Sequence, residues 1–270
     1  MNRRNFISKV FRLIVLGACT ASCPQAQPPL IRVAAASDLQ GVMPEIAKAF
    51  KDDTGAQADV SYGSSGNFFA QILNGAPFDL FFSADDEFPL KLIQSSRAEP
   101  RSAVVYGVGG LALWLPANSK CNPQVEKWNC LLKPEVSKIA IANPAHAPYG
   151  RAAIAALHSA QIYDRVYRKF VFGENIAQAA QFAQSGNAQA GILAYSQMHV
   201  PAMRDGKQWV IPRNDYPAIQ QTVVVLKTAT NQSLAEEFVK FVTEGPGHQL
   251  LEQAGFLPPP PANEPKAGHK

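Results

Sequence analysis

Short apolar runs alternate with helically patterned stretches along most of this 270-residue chain, and that alternation constrains the fold more than any other feature. Ile31 to Ala36 is an apolar run, and Val42, Ile46, Ala47 and Phe50 then repeat with helical spacing up to a stop at Gly55. Ala58 to Tyr62 alternates like a strand, Gly63-Ser64-Ser65-Gly66 opens a second helix ending near Asn74-Gly75, and Asp79 to Ala84 reads as a buried strand. Strands separated by helices cannot pair through tight hairpins, so the order predicts parallel βαβ units with right-handed crossovers. A second series begins after Gly107-Val108-Gly109-Gly110. Strands are expected at Leu111–Leu115, Lys138–Ala142, Gly191–Ala194 and Thr222–Leu226, and helices at Gly150–Ala160, Ile176–Ser185 and Ser233–Phe241. The expected class is α/β, built as two lobes with ligand binding at the carboxyl ends of the strands.

Four of the expected strand-to-helix turns share a chemistry. Ala36-Ser37-Asp38, Gly63-Ser64-Ser65-Gly66, Pro148-Tyr149-Gly150 and Glu174-Asn175-Ile176 each place a small or polar residue ahead of a helix. A helix start carries unpaired N–H groups and the positive end of the macrodipole, so it attracts an anion without a charged side chain. Taken singly, Ser37 and Ser65 read as ordinary N-caps, and Ser64 as a turn residue. Four such turns, two in each half of the chain, suggest a converging cradle for an oxyanion.

Composition narrows the partners. Charged residues are 17% and hydrophobic residues 47%, the profile of a well-covered globule. The formal charge of +4 misleads, because Arg3, Arg4, Lys9 and Arg12 lie in an N-terminal segment of 26 residues that contains no acid. Without them 21 basic residues face 21 acidic ones, so no nucleic-acid-binding surface is expected. Residues 1–26 read as an export signal: a basic start, then the short apolar run Val10 to Ala18 interrupted by Arg12. Arg3-Arg4-Asn5-Phe6-Ile7-Ser8-Lys9 fits either a twin-arginine or an ordinary secretory leader. Leu16-Gly17-Ala18-Cys19 fits a lipobox with Cys19 lipidated; the alternative is cleavage before Gln27, discarding Cys19 and Cys23. In an oxidising compartment Cys121 and Cys130, nine positions apart, are expected to pair. Residues 258–270, rich in Pro, Lys and Ala, read as a disordered tail.

The ordered motifs resemble those of the periplasmic molybdate-binding proteins of ABC importers. The likeness lies in Ala34-Ala35-Ala36-Ser37-Asp38-Leu39, Tyr62-Gly63-Ser64-Ser65-Gly66, the run from Gly75 to Asp85, and the run from Ala142 to Gly150, and extends from about Ile31 to Leu257. The resemblance implies a type II periplasmic binding fold. Each lobe would be a mainly parallel sheet flanked by helices, and two crossing strands would join lobe 1 (27–110 and 223–257) to lobe 2 (111–222). It implies a molybdate, or tungstate, held between the lobes and delivered to an inner-membrane permease. Carried over position by position, the ligand set is the hydroxyls of Ser37 and Ser65 and the backbone amides of Tyr149 and Ile176. Ala194 takes the place where some members carry a cleft tyrosine, with Tyr195 one step later, and the Tyr149 hydroxyl is a candidate to compensate.

The chemistry agrees. A divalent oxyanion only accepts hydrogen bonds, so its site must supply donors, and neutral donors leave no unpaired buried charge when the site is empty. Asp38 fits least well: an ionised carboxylate repels the ligand, so only its backbone N–H is expected to face inward, with the side chain favourable to the macrodipole. No cofactor, no direct metal ligand and a monomeric state are expected. His146 reads as a surface or supporting group, and Asp85, Asp86 and Glu87 as a solvated helix start. An exported hydrolase or phosphoryl transferase is the competing class, but no Gly-x-Ser-x-Gly elbow, P-loop or His-x-x-Glu-His motif occurs. Sulfate, phosphate or a small organic anion remains the alternative ligand.

Overall fold

Two five-stranded sheets divide the chain between them, each with one reversed strand second from an edge. The computed structural model describes residues 28–259; the expected leader with Cys19 and Cys23, and residues 260–270 of the expected tail, lie outside the described residues. In the first sheet β1 (Leu30–Ala36), β2 (Gln57–Gly63) and β3 (Leu80–Ser83) are parallel. They are connected through helices α1 (Met43–Thr54) and α2 (Ser65–Leu73), and α3 (Glu87–Gln94) follows β3. The chain then forms β4 (Val104–Gly109) and passes through Gly110 directly into β5 (Leu111–Leu115) of the second sheet.

That sheet adds β6 (Ile139–Ala142), β7 (Phe170–Gly173), β8 (Ala190–Ala194) and β9 (Lys207–Val210). Short helices α4 (Pro123–Glu126) and α5 (Asn129–Leu132) precede β6, α6 (Pro148–Ser159) and α7 (Tyr163–Val166) link β6 to β7, and α8 (Ile176–Gln184) links β7 to β8. The chain returns to the first sheet as β10 (Ile219–Val225) and ends in α9 (Gln232–Thr243) and α10 (Pro246–Gln253). The strand orders, β2-β1-β3-β10-β4 and β7-β6-β8-β5-β9, are the same pattern twice. The two passages between sheets, β4 to β5 and β9 to β10, are the crossing strands of a two-lobed fold.

Burial follows sequence pattern. Met43, Ile46 and Phe50 form the inward stripe of α1, and Phe50 meets Phe238 of α9 edge-on at 4.9 Å between ring centroids. In the second lobe every residue of β5, β6 and β8 is buried, as expected for strands covered on both faces. Ala36 and Ala84 of the first lobe pack into the core of the second, so the two lobes are in contact. A disulfide joins Cys121, just before α4, to Cys130 in α5.

Several elements differ from expectation. Gly107 and Gly109, read as punctuation between lobes, lie inside strand β4. The short strands β7 and β9 are not among the expected elements: β9 opens with the polar pair Lys207-Gln208, whereas Phe170-Val171-Phe172 of β7 is an apolar, strand-prone run too short to stand out. The return strand begins at Ile219, where it pairs with Gly109, so residues 219–222 sit in the first sheet rather than the second lobe. Ser37 precedes no α-helix: Ser37–Leu39 is a single 3-10 turn, and α1 starts only at Met43.

Candidate functional site

The carboxyl ends of β1, β2, β6 and β7 lead directly into the four expected motifs, and contacts between these motifs span the seam between lobes. The N–H of Ala177 in the first turn of α8 donates to Ser37 Oγ at 3.3 Å. The N–H of Gly66 in α2 donates to the carbonyl of His146, just ahead of α6, at 2.9 Å. A Cβ at Gly66 would lie 2.7 Å from that carbonyl oxygen, so glycine permits the approach. Ser37 is thus placed beside the start of α8, and the turn carrying Ser65 beside the start of α6.

The two serine hydroxyls are in equivalent states. Ser65 Oγ accepts from the N–H of Ala84 at 2.9 Å, as Ser37 Oγ accepts from Ala177, and both residues are buried. Among the described residues neither hydroxyl donates to a protein acceptor, so each is fixed by an incoming N–H and keeps its own proton to give. Neither is an N-cap. Ser64 caps α2, accepting from Asn67 N–H at 3.4 Å, and Ser65 is the first helical residue. Asn175 caps α8 through Gln178 N–H at 3.0 Å, leaving Ile176 as its first residue. Tyr149 is the second residue of α6, after Pro148. The amides of Ile176 and Tyr149 therefore belong to first turns, where no intrahelical acceptor exists.

Asp38 departs most from expectation. Its side chain is buried rather than turned out to favour a helix dipole, since no α-helix starts there. Asp38 Oδ2 accepts from the Tyr149 hydroxyl at 3.0 Å and from Gln221 Nε2 at 2.7 Å, while Ser196 Oγ donates to the Asp38 carbonyl at 3.1 Å. Gln221 is held in turn by Tyr106, whose hydroxyl donates to its Oε1 at 2.7 Å. Burial pushes the Asp38 carboxyl up to about 6, opposed by the hydrogen bonds from Tyr149 and Gln221. Burial together with the Asp38 charge pushes the Tyr149 phenol well above its ordinary range, so it stays a donor. Gly109 makes room for this cluster: a Cβ there would fall 2.2 Å from the Tyr149 hydroxyl. Tyr149 is accordingly a buried residue, and its hydroxyl is spent on Asp38 in this structure.

Around the cluster the lobes are tied by charge. Arg151 of α6 pairs with Asp85 at 2.6 Å and with Glu87 at 3.6 Å. Asp85 is buried, accepts from Ser83 Oγ at 2.9 Å and caps Phe88 N–H at 3.2 Å, so it is not part of a solvated helix start. Burial raises its carboxyl against those bonds and the Arg151 charge. His146 Nδ1 lies 3.0 Å from Ser64 Oγ, and its Nε2 is 3.7 Å from Glu174, which makes it a supporting group across the seam.

Ala194 ends β8, and Tyr195 opens the following 3-10 turn. The Tyr195 N–H donates to Gly110, its ring packs edge-on against His199, and no hydrogen bond joins it to the Asp38 cluster among the described residues. A groove of about 680 Å³ opens beside Ser37, lined by the neutral amides of Gln40, Asn175, Gln178, Gln181 and Gln197. Sequence reasoning missed Tyr106, Arg151, Ser196 and Gln221. None of the four left a signal: Gln221 itself sits in the polar stretch Gln220-Gln221-Thr222.

Residues 31–257 match the family described as bacterial extracellular solute-binding protein. A molybdate-binding protein ModA from Rhodobacter capsulatus is 36% identical over 79% of this chain and 82% of its own length. One from Azotobacter vinelandii is 35% identical over 91% and 96%. The solved structure of the Azotobacter vinelandii periplasmic molybdate-binding protein superposes with a TM-score of 0.79 at 33% identity, covering 85% of this chain and all of that one.

Proposed function

Because the chain belongs to the bacterial extracellular solute-binding proteins, we propose that it captures molybdate, and tungstate with it, between its two lobes and hands the anion to an ABC permease. The relatives named above are molybdate-binding proteins by name, and they match this chain over most of its length. The observation that carries the reading is the donor set. Two buried hydroxyls, Ser37 and Ser65, each already accept one N–H and retain a proton, and the first-turn amides of Tyr149 and Ile176 have no helical acceptor. Two donors come from each lobe, and all four are neutral, which suits an anion that only accepts.

The family consists of solute-binding proteins, so the role is capture rather than turnover. The location is the cell envelope, with Cys19 as the candidate lipid anchor if the leader is processed as a lipoprotein signal. Lobes tied at their seam fit a binding protein in its closed form, and a ligand contacting both lobes would favour that form. Thermal-shift and calorimetric titration with molybdate, tungstate, sulfate and phosphate test the reading. Molybdate and tungstate are expected to bind at least about 100-fold more tightly than sulfate, a difference of roughly 2.7 kcal/mol. Equal or tighter sulfate or phosphate binding would assign the site to another oxyanion.

A further inference from the structure

Asp38 is the one acidic group in the donor cluster, and it is half satisfied. Its Oδ2 accepts from Tyr149 and Gln221. Its Oδ1 is buried and accepts no well-formed hydrogen bond among the described residues, the N–H groups of Asp38 and Leu39 being the backbone donors that act on the carboxyl. No cation pairs with it there: the nearby Arg151 is committed to Asp85 and Glu87. The residue before it is Ser37, and the residue bonded to it is Tyr149, so the orphaned oxygen belongs to the same seam as two of the proposed anion contacts. A buried lone pair without a donor is costly, and a dianion brought beside an ionised carboxylate adds like-charge repulsion in a poorly solvated site.

Resting on the oxyanion reading above, we propose that the site binds its dianion together with one proton, carried on Asp38 Oδ1. The proton comes from solvent or buffer acid, a new O–H bond forms at Oδ1, and nothing else changes covalently. The protonated carboxyl then becomes a fifth donor, giving its hydrogen to an anion oxygen while Oδ2 keeps the bonds from Tyr149 and Gln221. Repulsion is removed and the orphaned atom is satisfied in one step. The carboxyl already sits near 6 without an anion, which lowers the cost of protonating it at neutral pH.

The neighbouring groups leave Asp38 as the natural carrier. The tyrosines of the cluster, Tyr106 and Tyr149, are both pushed well above their ordinary range and remain protonated. Tyr216, which accepts from Leu111 N–H, is also raised by burial, and Asp85 acts on the cluster only through its charge on Tyr106 while paired with Arg151. Of the elements packed on the Ser37–Leu39 turn, α8 carries no titratable side chain, β2 carries Asp59 and Tyr62, and the turn after β8 carries Tyr195 and His199. None of these bonds Asp38 among the described residues. The proposal also sets specificity: a hydrogen-bearing anion such as hydrogen phosphate brings its own proton and needs none from the buffer.

Molybdate titration of the full-length processed protein, in buffers of differing ionisation enthalpy between about pH 7 and 8.5, reads the proton directly. The expected result is uptake of about one proton per molybdate and an affinity that falls about tenfold per pH unit. Asp38→Asn, which presents an amide without titrating, is expected to bind with no proton uptake and a flat pH profile. Tight molybdate binding without proton uptake overturns this inference and leaves the oxyanion reading intact. Uptake that persists in Asp38→Asn also overturns it, by assigning the proton elsewhere. Failure of every oxyanion to bind removes both.

Discussion

The Tyr149 hydroxyl donates to Asp38 Oδ2 at 3.0 Å, joining the start of a second-lobe helix to the turn after the first strand across 111 residues of sequence. It is one of several hydrogen bonds across the seam, beside those from Ala177 N–H to Ser37 Oγ, from Gly66 N–H to the His146 carbonyl and from Ser196 Oγ to the Asp38 carbonyl. Its acceptor is a buried carboxylate without a cation, which makes its loss more expensive than that of a neutral pair. Tyr149→Phe is expected to weaken closure by about 1.5–3 kcal/mol, read as a roughly 10- to 150-fold loss of anion affinity. Small-angle scattering checks the cause: the variant's ligand-free form should be more open than the parent's. An unchanged radius of gyration and affinity would mean that this bond does not hold the seam.

Ser37→Ala and Ser65→Ala remove one hydroxyl donor each and, with it, the acceptor of Ala177 N–H or Ala84 N–H. A hydrogen bond to a charged ligand contributes about 1.5–3 kcal/mol, so each variant should bind molybdate roughly 10- to 150-fold more weakly. Calorimetry together with a circular dichroism melt separates lost contact from lost fold. Full affinity in either folded variant would take that serine out of the site.

Arg151→Ala breaks the pair with Asp85 and Glu87. The arginine side chain is 37% exposed, so solvent screens it and the pair is worth about 1 kcal/mol at most. The expected effect is an affinity loss of about fivefold that shrinks as salt is raised. A loss insensitive to salt would point to packing of the arginine on Phe88, whose ring lies 5.5 Å from its guanidinium, rather than to charge.

Stability of the ligand-free protein should depend on Asp38 in a defined direction. Its carboxyl is raised from 3.8 to about 6, so between those values the folded state holds more protons than the unfolded state, and stability falls as pH rises. Asp85 is raised in the same sense. Asp38→Asn should therefore lose less stability than the parent between about pH 4 and 6, as chemical denaturation at several pH values would show. Parallel pH profiles for the two proteins would mean that burial does not perturb this carboxyl.

The Cys121–Cys130 disulfide closes a small loop in the second lobe. Loop-closure entropy limits its contribution to roughly 2–3 kcal/mol, so reduction should lower the melting temperature while leaving molybdate binding in place. Two alkylatable thiols in the unreduced exported protein would contradict the bridge.

The parts of the fold legible in sequence were those with strong periodicity. β1 with α1, and β2 with α2, read clearly because apolar runs and a Gly55 stop punctuate them. β7 was missed because it is only four residues long, although Phe170-Val171-Phe172 is apolar and strand-prone, and β4 because Gly107 and Gly109 read as a turn, whereas Gly109 makes room for Tyr149 and Gly107 lies against Phe256 and Leu257. At the site, hydroxyls and first-turn amides were visible as motifs, but for Ser37 the visible reason was wrong, since its turn is 3-10 and its neighbour is the distant Ala177. The partners of Asp38 could not be read at all. Tyr149 and Gln221 reach it from 111 and 183 residues away, and only the folded chain shows that a residue expected to point outward is the buried centre of the seam.

Anomalous diffraction at the molybdenum edge, from crystals grown with molybdate, tests the central claim most directly. A single strong peak is expected between the lobes, with anion oxygens within hydrogen-bond distance of Ser37 Oγ, Ser65 Oγ and the amide nitrogens of Tyr149 and Ile176. A peak elsewhere, in the glutamine-lined groove or on one lobe alone, would contradict it.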